Sequence, residues 1–283
     1  MPSIAYEKVT QAIIDRLEAG VVPWRCPWSA IRPQSIHKRA YHGINALLLS
    51  SLGHTSPYWA TFKQIQSMGG KVVKGQKGTP VVFWKMLQSE DIDPITNKPK
   101  IIPFLRYYVV FNLDQTEGVE PPTAETPCLI PDPIAAADAI VDGYQDGPAI
   151  SYEGTRAFYR PAADIVTVPR MEHFDSVPGF YDTLFHELIH STGHPSRLNR
   201  SSLTDTNARF GSDPYAKEEL VAEMGAAFLC SASQIDIPPI LDNEAAYIAS
   251  WLRALKNDNK LVITAASQAQ KAADWILGNS KEA

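Results

Sequence analysis

His186-Glu187-Leu188-Ile189-His190 is the stretch that decides how the second half of this chain folds. On an α-helix residues four apart share a face, with Cβ atoms ~5–6 Å apart, so both imidazoles can hold one divalent ion. Zinc accepts imidazole nitrogen at ~2.0–2.1 Å, and Glu187, a fraction of a turn round, can reach a water beside it. A helical projection puts Tyr181, Leu184, Phe185, Leu188, Ile189 and Thr192 on one largely apolar arc, with the two histidines on the opposite edge. Gly193 and Pro195 then close the helix. The pattern therefore predicts an amphipathic helix, packed on one side and chemically equipped on the other.

A hydrolytic zinc site needs a third protein ligand and one open position. The segment from Ser212 to Cys230 reads as a second helix, with Asp213 able to cap it and Pro214 suited to its first turn. Leu220, Val221, Met224, Ala227 and Phe228 form its apolar stripe. Glu219 and Glu223, four apart, share another face with Ala222, Ala226 and Cys230. Solvated glutamates usually alternate with lysines, whereas small neighbours point to close packing against another helix. Two carboxylates placed there need a compensating cation. Glu219 is expected as the third ligand and Glu223 as the carboxylate that orients a ligand histidine through its other ring nitrogen. The reverse assignment stays open, and Glu218 is expected on the surface.

His194 follows Gly193 directly, whereas a metzincin places its third histidine three residues beyond that glycine. It is expected beside the site, not among the ligands. In this arrangement Glu187 is the general base, the cofactor is zinc or another divalent ion, and Tyr181, Tyr215 and His194 are alternative donors to an oxyanion.

The chain's net charge of −5 conceals an asymmetry. The first 110 residues hold 14 Lys and Arg against 6 Asp and Glu, a local net of +8, and the remainder carries −13. Only the first half is thus suited to a polyanion. The acidic, proline-rich stretch over 117–132 reads as a linker between residues 1–116 and 133–283. In the first half, Ser3 to Ala19, Asn45 to Leu52 and Trp59 to Met68 are expected as helices, and Val81 to Leu87 and Ile101 to Leu113 as strands. Single strands are bound by basic grooves and by aromatic faces that stack on bases. Trp24, Arg25, Trp28, Arg39, Tyr41, Tyr58, Trp59, Lys71, Lys74 and Lys77 are the candidate contacts, with Trp59, Trp84 and Tyr108 equally readable as core. No recognition helix is discernible, so little sequence preference is expected.

No apolar run approaches the ~20 residues that span a bilayer, and the N-terminus opens with a charged helix, not a signal peptide. Cys26, Cys128 and Cys230 are scattered and odd in number, which favours a reducing, cytoplasmic setting. No membrane partner is expected, and a monomer is the simplest state.

The residues from Arg160 through His186-Glu187-Leu188-Ile189-His190 to Arg200, the glutamate helix, and the run from Tyr247 to Ile276 resemble the metallopeptidase domain of ArdC-like antirestriction proteins. Pro23-Trp24-Arg25, Tyr41-His42-Gly43-Ile44-Asn45, Tyr58-Trp59-Ala60-Thr61-Phe62 and Phe111-Asn112-Leu113-Asp114-Gln115-Thr116 resemble their N-terminal half. The resemblance implies an α+β chain in which a small single-stranded-DNA-binding domain precedes a mainly helical zincin-like domain with a small sheet. It also implies a plasmid-borne protein that protects incoming DNA from restriction. Two readings follow: a zinc peptidase aimed at a protein of the host restriction system, or a single-strand shield whose zincin domain is a metal-stabilised scaffold.

Overall fold

The structure, a computed structural model, describes residues 4–25, 32–92, 99–122, 130, 132–204, 213–236 and 244–279. The first half begins with α1 (Ile4–Glu18), whose Ala5, Val9, Ile13, Ile14 and Leu17 are buried in one stripe. After β1 (Gln34–Ser35) come α2 (Gly43–Ser50), β2 (Tyr58–Thr61) and α3 (Phe62–Ser67). The helix expected from Trp59 starts only at Phe62. Aromatic and β-branched residues over 58–61 pair as a strand, and Thr61 and Gln64 then close a capping box.

β3 (Lys71–Val72) is followed by two 14-residue strands, β4 (Thr79–Ile92) and β5 (Pro99–Asn112), and then by β6 (Thr116–Glu117). Strand order in the main sheet is β1-β2-β5-β4, with β1 and β2 parallel and the other neighbours antiparallel. β4 is an edge strand, and its outer side is partly closed by Asn45 of α2. That side chain donates to the Val82 carbonyl at 2.7 Å and accepts from the Val82 amide at 2.8 Å, replacing a neighbouring strand.

The second half comprises α4 (Pro133–Asp142), β7 (Ala149–Tyr152), β8 (Phe158–Arg160), β9 (Ile165–Val168) and α5 (Val177–Ser191). It ends with α6 (Ser201–Thr204), α7 (Asp213–Ser233), α8 (Glu244–Asn257) and α9 (Leu261–Ile276). The three strands form a sheet in the order β7-β9-β8, against which α5 packs. The other side of α5 lies along α7. A side chain at Gly225 would meet Ile189 at 2.7 Å, so glycine permits the close approach that brings the α7 carboxylates to the histidines. α9 runs beside α7, and α1 packs on β4, α8 and α9, so one hydrophobic core is continuous from the first helix to the last.

Candidate metal centre

α5 is started by Ser176, whose hydroxyl accepts from the Gly179 amide at 3.2 Å, with Pro178 in the first turn. His186 and His190 then stand one turn apart, their Nε2 atoms separated by 3.1 Å. Glu219 of α7 completes a triangle, with Oε2 3.6 Å from His186 Nε2 and Oε1 3.5 Å from His190 Nε2. Donors sharing one tetrahedral ion at about 2.0–2.2 Å stand about 3.3–3.6 Å apart. Both Glu219 separations match that spacing and the imidazole pair needs only to open slightly, so the three side chains form a metal-competent group among the described residues. Glu187 is buried, and its carboxylate makes no hydrogen bond or ion pair among the described residues, though its charge acts on His186.

Each histidine is backed by a carboxylate and a guanidinium. His190 Nδ1 lies 3.3 Å from Glu218 Oε1. Glu218 in turn accepts from Arg200 Nε at 3.2 Å and from the Ser202 hydroxyl at 2.5 Å. Arg200 also donates to the Thr192 hydroxyl and, at 2.8 Å, to the Ile189 carbonyl, which ties the turn after α5 to the helix. Glu218 is 3% exposed, which corrects its expected surface position: the Arg200 turn folds over it and supplies the charge that makes burial tolerable. A donor at Nδ1 leaves the Nε2 lone pair facing the ion position.

His186 Nδ1 is 3.8 Å from Glu223 Oε1, and Glu223 Oε2 accepts from Arg25 Nε at 3.0 Å and Nη2 at 2.8 Å. Arg25 also contacts Asp182 at 2.5 Å. Asp182 precedes His186 by four residues, so Asp182, His186 and His190 share one edge of α5. Arg25, expected on DNA, is instead held between two carboxylates of the second half, so its guanidinium is committed there. Burial alone would lower its pKa, but Glu223 and Asp182 outweigh that and keep it charged.

Around the triangle five carboxylates, Asp182, Glu187, Glu218, Glu219 and Glu223, face two guanidiniums, an excess of negative charge that calls for a cation or protons. Burial would lower the His190 pKa, but Glu218 and Glu219 push it up to about 10. Burial would raise Glu218, yet the hydrogen bonds of His190 and Arg200 hold it down at about 2. Glu219 is likewise held well below the ordinary carboxylate range by the two histidines, against the effect of burial.

Other expected residues lie elsewhere. His194 Nδ1 bonds Ser196 at 2.7 Å within its own turn and has no contact with the metal group. Tyr181 is buried on the far side of α5 and donates to Asp138, which removes it as an oxyanion donor. The side chain of Tyr215 lies outside the described residues.

In the first half, four aromatics expected on DNA are core. Trp24 is fully buried edge-on to Trp251 at 5.1 Å, and Tyr41, Tyr58 and Trp59 are 7%, 3% and 2% exposed. Tyr41 and Trp59 fill the space between α2 and the sheet, Tyr58 packs with Ile65 of α3, and Trp24 is in the core shared with the second half, which precludes stacking on a ligand. Arg39, Lys71, Lys74 and Lys77 are exposed, with Lys71 paired to Glu117 at 2.9 Å. Trp28 lies outside the described residues. The first-half aromatics that do reach solvent are Phe62 of α3 and, on β4 and β5, Phe83, Trp84, Phe104, Tyr107 and Tyr108.

Comparison with known proteins accounts for both halves. Residues 3–111 match the family described as the N-terminal domain of anti-restriction factor ArdC, and residues 135–268 match zincin-like metallopeptidases. The chain is 36% identical over 298 residues to the uncharacterized protein y4eC of Sinorhizobium fredii, covering all of this chain and 94% of that one. It is 35% identical over 294 residues to DNA primase TraC of Escherichia coli, where 96% of this chain corresponds to only 27% of the primase's length. Crystal structures of antirestriction protein ArdC from plasmid R388 superpose on it in metal-free form (TM-score 0.73, 97% of each chain) and in Mn(II)-bound form (TM-score 0.74, 98% of each chain). Both are 38% identical in sequence. With likeness of this extent across both halves, the chain belongs to the ArdC family of antirestriction proteins, an ArdC-type N-terminal domain followed by a zincin-like metallopeptidase domain.

Proposed function

We propose that the protein is a metal-dependent peptidase carried to DNA by its N-terminal part, and that it protects incoming plasmid DNA from host restriction during conjugation. The observation that carries this reading is the convergence of His186 Nε2, His190 Nε2 and Glu219 beside a Glu187 carboxylate engaged by no other described group. A metal-stabilised scaffold would need the three ligands but not the base.

In this reading His186, His190 and Glu219 hold the ion, zinc or another divalent metal, while Glu223 and Glu218 fix the two imidazoles from behind. When bound, the ion supplies Lewis-acid polarisation of the scissile carbonyl and lowers the pKa of a nearby water towards about 7. Glu187 takes the attacking water's proton and passes it to the leaving amine. Residues 133–283 do the chemistry, and residues 1–116 bind single-stranded DNA without sequence preference. The +8 charge of the first 110 residues and the exposed Arg39, Lys74 and Lys77 support that division. The protein acts in the cytoplasm as a monomer, and its substrate is a protein of the host restriction system.

Protection of incoming plasmid DNA is the test, with Glu187→Ala compared against wild type. Loss of protection with the metal still bound is expected. Full protection by that variant would remove the peptidase role and leave the single-strand shield.

A further inference from the structure

Two faces of the β4–β5 hairpin leave the core together but differ in chemistry. The register pairs Val81 with Tyr108, Phe83 with Arg106 and Lys85 with Phe104, so these side chains share one face. The opposite face carries Val82, Trp84, Leu105 and Tyr107 in the alternate rungs, with no charged residue. Val82 and Leu105 tie that face to the main core, while Trp84 and Tyr107 beside them reach solvent.

The first face is anchored where Val81 and Val110 pack under Tyr41 and Trp59. Beyond that cover it is open: Phe83 is 44% exposed, Phe104 43% and Tyr108 46%, with Lys85 and Arg106 also exposed. The rings are ordered against one another. Phe83 meets Tyr41 at 6.1 Å and Tyr108 edge-on at 5.8 Å, and the Arg106 guanidinium stands 5.8 Å over the Phe104 ring. Three rings and two cations thus alternate on one sheet face, and the eight residues of its four inner rungs, from Thr79–Val110 to Lys85–Phe104, include no acid. Exposed rings offer π-faces to bases, and the cations meet phosphates; that combination binds single strands with little regard to sequence.

We infer that this face, Phe83, Lys85, Phe104, Arg106 and Tyr108, is the track on which single-stranded DNA lies. The inference rests on the DNA-binding reading above and locates it away from the buried Trp24, Tyr41, Tyr58 and Trp59. A duplex, whose bases are already stacked, binds the face only through Lys85 and Arg106 and therefore weakly.

The test uses the full chain and fluorescently labelled oligo(dT), with anisotropy measured over a range of salt. Phe83→Ala and Tyr108→Ala each weaken binding about 5- to 150-fold. Lys85→Ala and Arg106→Ala each flatten the logarithmic salt dependence by about 0.7. Because these side chains are solvent-exposed, melting temperatures stay at the wild-type value. Phe83→Trp retains affinity, and its added indole emission is quenched by oligo(dT). If wild type binds oligo(dT), the alanine variants bind equally well and Lys74→Ala with Lys77→Ala abolishes binding, the track is wrong while the DNA-binding reading stands. If wild type binds no oligo(dT), both fall. If the alanine variants leave DNA binding intact and instead break a dimer seen in sedimentation, the face is a contact between copies of the chain.

Discussion

His190 and His186 are supported by the same succession of groups, imidazole, carboxylate and guanidinium, drawn from different distances along the chain. Behind His190 stand Glu218 and Arg200, both from the second half and both nearly sealed, with side-chain exposures of 5% and 4%. Behind His186 stand Glu223 and Arg25, 13% and 18% exposed, and the guanidinium comes from 198 residues away, at the end of the first half's opening helix and turn. The first support is local and stabilises the helix pair it belongs to. The second crosses from the ArdC-type N-terminal domain into the peptidase domain, so the group behind His186 is assembled from both, though none of the three metal-competent residues comes from the first.

Removing a ligand breaks the comparison at its root. His186→Ala and Glu219→Ala are expected to lose the ion, an effect larger than the about 10- to 100-fold that loss of a residue bonded to a ligand costs. Chelator competition on the full chain measures it. Retention of the ion in Glu219→Ala together with its loss in Glu223→Ala would exchange the two glutamates.

Arg200→Ala should be the most destabilising change among the supports. It leaves Glu218 buried without its cation, at a cost of about 3–5 kcal/mol in denaturant unfolding. If it costs no more than Arg25→Ala, the difference in burial between the two supports does not matter.

A third guanidinium–carboxylate pair serves as the control. Arg197 holds Asp164, to which the Tyr159 hydroxyl also donates, and neither residue belongs to the metal-competent group or contacts its carboxylate. Asp164 is held below the ordinary carboxylate value, chiefly by Arg197 and against the effect of burial. A depressed folded pKa stabilises the protein above the unfolded value near ~3.9, and the contribution is lost as pH falls through the folded value. Asp164→Asn should therefore lower the melting temperature slightly at neutral pH, lose that difference in acid below about pH 4, and leave metal affinity unchanged. A changed metal affinity would show that all such pairs act on the site indirectly.

The grouping of His186, His190 and Glu219 was legible because helical spacing is short-range: histidines four apart on α5 and glutamates four apart among the alanines of α7 point to one another and to the packing between the helices. Asp182 was missed, although it stands one turn before His186 and the same spacing could have placed it on that edge. Glu218 was not, because its burial depends on Arg200, delivered by the turn at Gly193, where a Cβ would meet Arg200 at 3.0 Å. Arg25 was misread for a related reason: a basic residue beside tryptophan looks alike whether it faces DNA or a distant carboxylate. The aromatics divided the same way. Trp24 and Trp59 sit in short segments pinned between layers, while Phe83 and Tyr108 lie on strands that carry large apolar side chains on both faces, so alternation did not reveal which face is open.

Zn(II) affinity of Arg25→Ala relative to wild type decides whether the N-terminal domain supports the metal centre through Arg25. The structure predicts one ion per chain in both, bound about 10- to 100-fold more weakly in the variant while circular dichroism shows an unchanged fold. Wild-type affinity in Arg25→Ala would contradict it and make the metal centre a property of the peptidase domain alone.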